Sequence, residues 1–330
     1  MNHSFPYSDT NKRYHTYDYY LKHRYGTKCA RIPIDAGFSC PNRESGGGGC
    51  TFCSARGSGD FCADTLLPPE IQFAKGYARL TEKWGKRLQA IPLPAIPYFQ
   101  AFSNTYAPPG RLRQLYEAAL CYRDADGNPV PIPALAIATR PDCLSPETVD
   151  LLCALNRRAD VTVELGLQSI HDETLRRIRR GHDSAAFLDG FRMLADAGIG
   201  ICVHIINGLP GETREMMLET VRAVAALHPQ FIKIHMLHIL RGTVMAEEYA
   251  RGEFSLLSCE EYVSVVCRQL ELLPPETVIC RLTGDGAAGD LLAPDWTKNK
   301  RAVLAAIDKT LAAQNTCQGA AFSAERTEER

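Results

Sequence analysis

Six or seven short apolar runs recur along the chain, at residues 30–34, 96–102, 133–139, 161–165, 200–206, 231–236 and 278–282. Each has the length of a buried strand and is rich in β-branched or aromatic residues. The stretches between them carry apolar positions at helical spacing. In residues 69–90 these are Ile71, Phe73, Tyr77, Leu80 and Trp84. Ser145-Pro146-Glu147 reads as a helix start, with an N-cap serine followed by proline in the first turn. Leu188, Phe191, Leu194 and Ala195 form another stripe, which Gly198 closes at a C-cap position. Residues 213–227 and 259–273 supply two further helices. Strand and helix in alternation predict parallel strands joined by right-handed crossovers. The number of repeats fits a full or partial (β/α) barrel better than a small doubly wound sheet. In such a barrel, chemistry sits where the strands end and the following loops begin.

Composition narrows the class. The 330 residues are 45% hydrophobic and 23% charged, which excludes a wholly disordered chain, a collagen and a coiled coil. The formal net charge of −1 excludes a strongly basic nucleic-acid coat, although not a local basic patch. No apolar run approaches the roughly 18 residues of a membrane span. Residues 1–14 lack the apolar core of a secretory signal, so no membrane is expected and the expected compartment is the cytoplasm. Thirteen cysteines fit that setting as buried thiols, since an odd total at wide spacing argues against a disulfide framework.

Four cysteines between 40 and 62 stand apart from the others. Cys40, Cys50 and Cys53 are spaced C-x9-C-x2-C just after the first predicted strand, and Gly46 to Gly49 lie in the first gap. Glycines let backbone wrap closely around a guest, and two cysteines separated by two residues can grip one metal centre. Three readings compete. A structural zinc would take Cys62 as its fourth ligand; a [4Fe–4S] cluster would use three cysteines and keep one iron open; or the three are unrelated buried thiols. The place at the catalytic rim and the missing second paired bite favour the cluster.

The segment GFSCPNRESGGGGCTFC (37–53) resembles the cluster loop of radical S-adenosylmethionine enzymes, in the Elp3-, coproporphyrinogen-dehydrogenase- and MiaB-like branch. The usual superfamily spacing is C-x3-C-x2-C. The longer first gap matches the YhcC/YtqA-type subgroup, and the similarity runs from about Lys28 to about Ala313. The resemblance implies an α/β fold, a partial (β/α)6 TIM-type barrel over 28–290. An N-terminal extension (1–27) and a C-terminal helix (291–313) complete the layout, and residues 314–330, small, polar and charged, read from composition as a disordered tail. It also implies a [4Fe–4S] cluster on Cys40, Cys50 and Cys53, and S-adenosyl-L-methionine cleaved to a 5′-deoxyadenosyl radical.

Strand-end motifs then acquire expected roles. Gln100 and Asn104, in QAFSNTYAP, are expected to accept from the cofactor ammonium or to line the substrate pocket, or else to cap a turn. Gln168, in VELGLQS, matches a residue that contacts the nucleoside, and Arg180 matches an arginine that pairs with the cofactor carboxylate. Glu164 lies inside a buried run and needs a partner, either a ribose hydroxyl or an arginine. His204 stands either near the adenosine or as a satisfied core histidine. Gly208 and Pro210, with Gly211, form a turn expected to approach the adenine.

The substrate is less legible. Residues 11–26 interleave Lys12, Arg13, Lys22 and Arg24 with five tyrosines, a pattern that suits either RNA or an extension glued across the barrel bottom. The resemblance implies tRNA as partner and a wobble uridine as target, with conversion of a carboxymethylaminomethyl arm to an aminomethyl arm. It also implies an electron donor such as flavodoxin or ferredoxin. The other readings are a radical enzyme on a small molecule or protein side chain, and a zinc-binding interaction module.

Overall fold

The computed structural model describes residues 5–57, 62, 66–84, 92–284, 286 and 289–322. Seven strands form one parallel sheet: β1 (Ala30–Ile34), β2 (Ala95–Phe99), β3 (Ala134–Thr139), β4 (Asp160–Gln168), β5 (Gly200–Asn207), β6 (Phe231–Met236) and β8 (Val278–Arg281). They lie side by side in chain order and curve into a half-barrel, as the alternation predicts, with β8 adding a seventh strand to the six expected. A small antiparallel pair, β7 (Ile239–Leu240) with β9 (Leu291–Ala293), completes the strands.

Helices cover the outer face: α3 (Pro69–Trp84), α4 (Pro109–Ala119), α5 (Pro146–Asn156), α7 (Ser184–Asp196), α8 (Arg214–Ala226), α10 (Cys259–Leu272) and α11 (Lys300–Ala313). Short helices α2 (Pro41–Glu44), α6 (Asp172–Arg177) and α9 (Val244–Ala250) sit in the loops after β1, β4 and β7. Parallel strands buried on both faces read as nearly continuous apolar runs, which is why the strand pattern was plain in the sequence. The side chain of Ser145 caps α5 by accepting from the Thr148 N–H, and Gly198 follows α7 with φ +66°. Side chains lock the layers together. Gln72 on α3, 1% exposed, accepts from the Asp35 N–H and donates to the Asp35 carbonyl just past β1. The residues around Phe73, Tyr116 and Phe187, all fully buried, form one continuous core between helices and sheet. Burying each such side chain contributes on the order of 1.5–3 kcal/mol.

The base of the barrel is closed by α1 (Tyr17–Tyr25). Its Tyr17 and Tyr20 meet Phe231 edge-on, with ring centroids 6.1 and 5.0 Å apart. Tyr25 and Arg24 both bond Asp160 at the start of β4. Tyr14 lies in the main core, so four of the five N-terminal tyrosines are packing groups. Residues 314–322, placed in a tail by composition, turn back under the barrel. There Gln318, 2% exposed, donates to the carbonyls of Pro274 and Thr277 and accepts from the His15 N–H. Residues 323–330 lie outside the described part.

Candidate active site

A cavity of about 670 Å³ runs through the half-barrel, from the cysteines at the carboxyl ends of the strands down to Tyr17, Asp18 and Leu21 of α1. The chain leaves β1, turns through α2 with Cys40 as its N-cap residue, and folds back on itself. Gly46, Gly48 and Gly49 all take positive φ there, which an L side chain would resist. The Gly49 N–H reaches the Asn42 carbonyl at 3.1 Å and the Cys53 N–H the Cys50 carbonyl at 3.0 Å. The fold-back places Cys40, Cys50 and Cys53 together on one wall of the cavity.

A second segment braces this wall. The Thr51 N–H donates to the Ile178 carbonyl, and Asn42 donates to both the Arg179 carbonyl (2.8 Å) and the Cys50 Sγ (3.6 Å). Arg180, buried, donates through Nη1 to the Cys50 Sγ at 3.7 Å and through Nη2 to the Gly166 carbonyl at 2.7 Å. A Cβ at Gly166 would stand 2.6 Å from that Nη2, so the bare glycine leaves room for the guanidinium. Arg140, paired with Asp142, holds the Arg180 carbonyl at 2.7 Å. Burial pushes the Cys53 thiol up to about 11; Cys50 and Cys40 add to the shift, and Arg43 and Arg180 oppose it.

These residues fit an iron–sulfur cluster. Three thiols share one wall, and beside them the Arg180 Nε is buried without a partner. A single zinc would draw its sulfurs to about 3.8 Å from one another, given a Zn–S length of ~2.3 Å. Among the described residues, the donor set gathered within 4.8 Å is Glu164, Cys202 and His204, not the cysteine trio. Cys62 stands off the wall, with its Sγ accepting from Gln100 Nε2 at 3.6 Å.

Below the wall, Glu164 sits mid-strand and 2% exposed at the centre of a polar floor. It accepts from Tyr98 Oη (2.6 Å), Lys233 Nζ (2.5 Å), His204 Nε2 (3.0 Å) and Arg31. Burial alone would raise its carboxyl. The charges of Arg31 and Lys233 and the bond from His204 instead hold it well below the usual carboxylate range. Burial, reinforced by Arg31, lowers Lys233 to about 8.

Of the residues expected at the site, Gln100, Glu164, Gln168, Arg180 and His204 line the cavity. Gln168 does so from a left-handed conformation, φ +79°, where the register of β4 on β5 shifts. A strained backbone of this kind persists only where its surroundings hold it. Three residues are not brought there. Asn104, fully buried, spends its amide on the carbonyls of Ala101 and Ala138 and fastens the turn after β2 to β3. Gly208 donates its N–H to Met217 Sδ and packs under Leu257, so the Gly208–Pro210 turn serves packing against α8 and is not part of the cavity wall. Arg31, Tyr98, Lys233 and His235 line the cavity and were not singled out from the sequence. Arg31 and Lys233 carry the signal that exposed Glu164, a charge inside an apolar run.

The model of the radical SAM superfamily matches residues 39–224, and that of the radical SAM C-terminal domain matches 229–313. The chain belongs to the radical SAM superfamily. Within it, this radical SAM chain is 46% identical to YtqA of Bacillus subtilis, over 98% of its own length and 97% of that protein's. A tRNA uridine(34) acetyltransferase of Methanocaldococcus infernus is 30% identical over 46% of this chain and 28% of its own. The solved Elp3 structure from Methanocaldococcus infernus superposes with a TM-score of 0.64 at 19% identity, covering 88% of this chain and 64% of that one. The family uses a [4Fe–4S] cluster with S-adenosylmethionine. No described helix of the radical SAM chain is long and apolar enough to cross a membrane.

Proposed function

We propose that the protein is a radical SAM enzyme that acts on tRNA, converting a wobble uridine with a carboxymethylaminomethyl arm to one with an aminomethyl arm. Cys40, Cys50 and Cys53 would hold the cluster, which with S-adenosylmethionine would supply a 5′-deoxyadenosyl radical. The chain's own residues do the rest. The loop glycines and Asn42 hold the thiols to one wall. Arg180, with its unpartnered Nε, faces the same space, suited by its planar fork to a carboxylate. The half-open cavity gives cofactor and substrate a common site. Its 670 Å³ lies within the 300–1,000 Å³ typical of small-molecule sites, a volume that the cluster, S-adenosylmethionine and the reacting part of the substrate would share.

One observation carries the reading: a three-cysteine wall stands directly over a polar, charge-bearing floor in a single cavity. The tRNA assignment draws support from the acetyltransferase relative, whose matched portion is under half of this chain. Partners in this reading are tRNA and a one-electron donor such as flavodoxin or ferredoxin. Nucleoside mass spectrometry of tRNA from a deletion strain tests it. Carboxymethylaminomethyl-uridine should accumulate and its aminomethyl descendants should fall. An unchanged profile removes the tRNA assignment, while 5′-deoxyadenosine release on addition of dithionite and S-adenosylmethionine tests the radical chemistry separately.

A further inference from the structure

Beside the cysteine wall, α6 ends in a cap that carries arginine where glycine is usual. The Arg180 N–H reaches the Leu175 carbonyl at 2.9 Å and the Arg179 N–H the Arg176 carbonyl at 3.0 Å. That bond pair makes a Schellman turn, with Arg179 at its left-handed position, φ +52°. Glycine would sit there without strain. Arg176, Arg177 and Arg179 are all exposed. Arg176 answers the charge of Asp172. Among the described residues, the side chains of Arg177 and Arg179 make no ion pair and no hydrogen bond. Neither lines the cavity, so thiolates and cofactor do not account for them. The helix dipole favours cations in the last turn, which covers Arg177, but Arg179 lies beyond the helix end. The carboxylates of the same element, Asp172 and Glu173, stand in its first turn, and Asp172 accepts from the Ser184 N–H. On α2 nearby, Glu44 accepts from the Tyr106 hydroxyl.

This basic ridge is fastened directly to the cysteine loop. The Thr51 N–H bonds the Ile178 carbonyl at 3.0 Å, and Leu175 and Ile178 belong to the buried cluster against which Phe52 packs. From the Arg179 carbonyl to the Cys50 sulfur the path runs through one atom, Asn42 Nδ2, which stands 2.8 Å from the first and 3.6 Å from the second. Arg180 offers a second path, with Nη1 3.7 Å from the same sulfur. A molecule seated on the ridge is thus two hydrogen bonds away from a thiol of the cluster site. That closeness decides between two anionic partners. RNA would gain from positive charge anywhere around the mouth. An electron carrier gains only where the electron can pass on, because transfer falls steeply with distance. Redox encounters also need only small interfaces, with charge steering the approach. The chain as a whole holds 37 basic against 38 acidic residues, so an acidic carrier would be drawn by this ridge and not by net charge.

We propose that Arg177 and Arg179, with Arg176, form the docking ridge for an acidic one-electron carrier protein, which hands its electron to the cluster site past Asn42 and Arg180. The carrier loses one electron, the cluster gains it, and no atom is transferred. The inference rests on the radical chemistry proposed above and is independent of the tRNA assignment.

The test uses the reconstituted enzyme, kept anaerobic, with flavodoxin as the acidic probe. In Arg177→Glu with Arg179→Glu, the second-order rate of cluster reduction by flavodoxin hydroquinone at low salt should fall at least tenfold. The gap to the wild type should narrow as salt is raised. Reduction by dithionite, which needs no docking surface, should change less than twofold. Binding is read separately, by titrating 15N-labelled oxidised flavodoxin with the enzyme; its dissociation constant should rise at least tenfold. The control is Arg157→Glu with Arg158→Glu, two exposed arginines that precede β4 at the end away from the cysteines, and it should leave both readouts unchanged. Arg179→Gly keeps the test open should the double reversal not fold. It relieves the turn, so the melting temperature should rise while flavodoxin reduces the cluster about threefold more slowly. Unchanged flavodoxin binding and reduction in these variants overturn the proposal. Equal slowing by flavodoxin and dithionite also overturns it, since the defect then lies in the cluster. Weakened binding of an anticodon stem-loop with flavodoxin unaffected assigns the ridge to RNA, and the proposal fails. Absence of 5′-deoxyadenosine with dithionite in the wild type would defeat the radical reading instead, while the flavodoxin titration still reports on the ridge.

Discussion

The cavity has two working regions built on opposite plans. The cysteine wall comes from one stretch of chain, residues 40–53, braced by a second at 178–180, and backbone hydrogen bonds set much of its shape. The floor is assembled from single side chains on different strands: Arg31 from β1, Tyr98 from β2, Glu164 from β4, His204 from β5 and Lys233 from β6. A locally encoded element tolerates change elsewhere in the barrel. A floor made of one residue per strand depends on every strand register, since a one-residue slip would turn each side chain outward.

The largest expected effect lies on the wall. Cys50→Ala should abolish the cluster, leaving iron and sulfide far below four each per chain after reconstitution, with the fold retained by circular dichroism. Retention of a full cluster would remove the wall's assigned role.

On the floor, Glu164→Ala leaves Arg31 and Lys233 buried without their shared carboxylate. Removing one partner of a buried ion pair costs roughly 3–5 kcal/mol. Urea unfolding should show a loss of that order, while cluster content in the surviving folded fraction stays near the wild type. Loss of the cluster without loss of stability would mean that the two regions are not separable.

Next comes the electrostatic link between them. Arg180 and Asn42 donate to the Cys50 Sγ, and hydrogen bonds and positive charge near the sulfurs raise a cluster's reduction potential. Arg180→Met should shift the midpoint of an EPR-monitored redox titration to more negative potential, and Asn42→Ala should do so by less. A midpoint unmoved in both variants would break the link.

The smallest effect concerns pH. Burial sets Lys233 at about 8 in the folded protein, against about 10.5 for an exposed lysine. Between those values the unfolded chain binds the additional proton. This residue's contribution therefore favours folding increasingly as pH rises from 8 toward 10.5. The difference in unfolding free energy between wild type and Lys233→Met should change in that direction over pH 8–10, and a flat difference would place Lys233 in an unperturbed setting.

Legibility in the sequence follows the same division. Strands buried on both faces, the Ser145 cap and the C-x9-C-x2-C loop are local patterns, and all were plain. Glu164 was visible as a charge in an apolar run, but its partners were not, because Lys233 lies 69 residues away and only the β4–β5–β6 register brings them together. Asn104 and Gly208 are ambiguous in the sequence for a related reason. A polar or turn residue at a strand end looks the same whether it faces the cavity or closes a turn, and only the packing of Ala138 and Met217 against them decides. The N-terminal tyrosines were equally ambiguous until Phe231, more than 200 positions later, was seen beneath them.

The joining of residues 13–15 to Gln318 beneath the barrel has a practical outcome. Both ends of the described chain emerge on the face away from the cysteines. A fluorescent protein or a surface tether fused at residue 322 would therefore sit away from the mouth of the barrel.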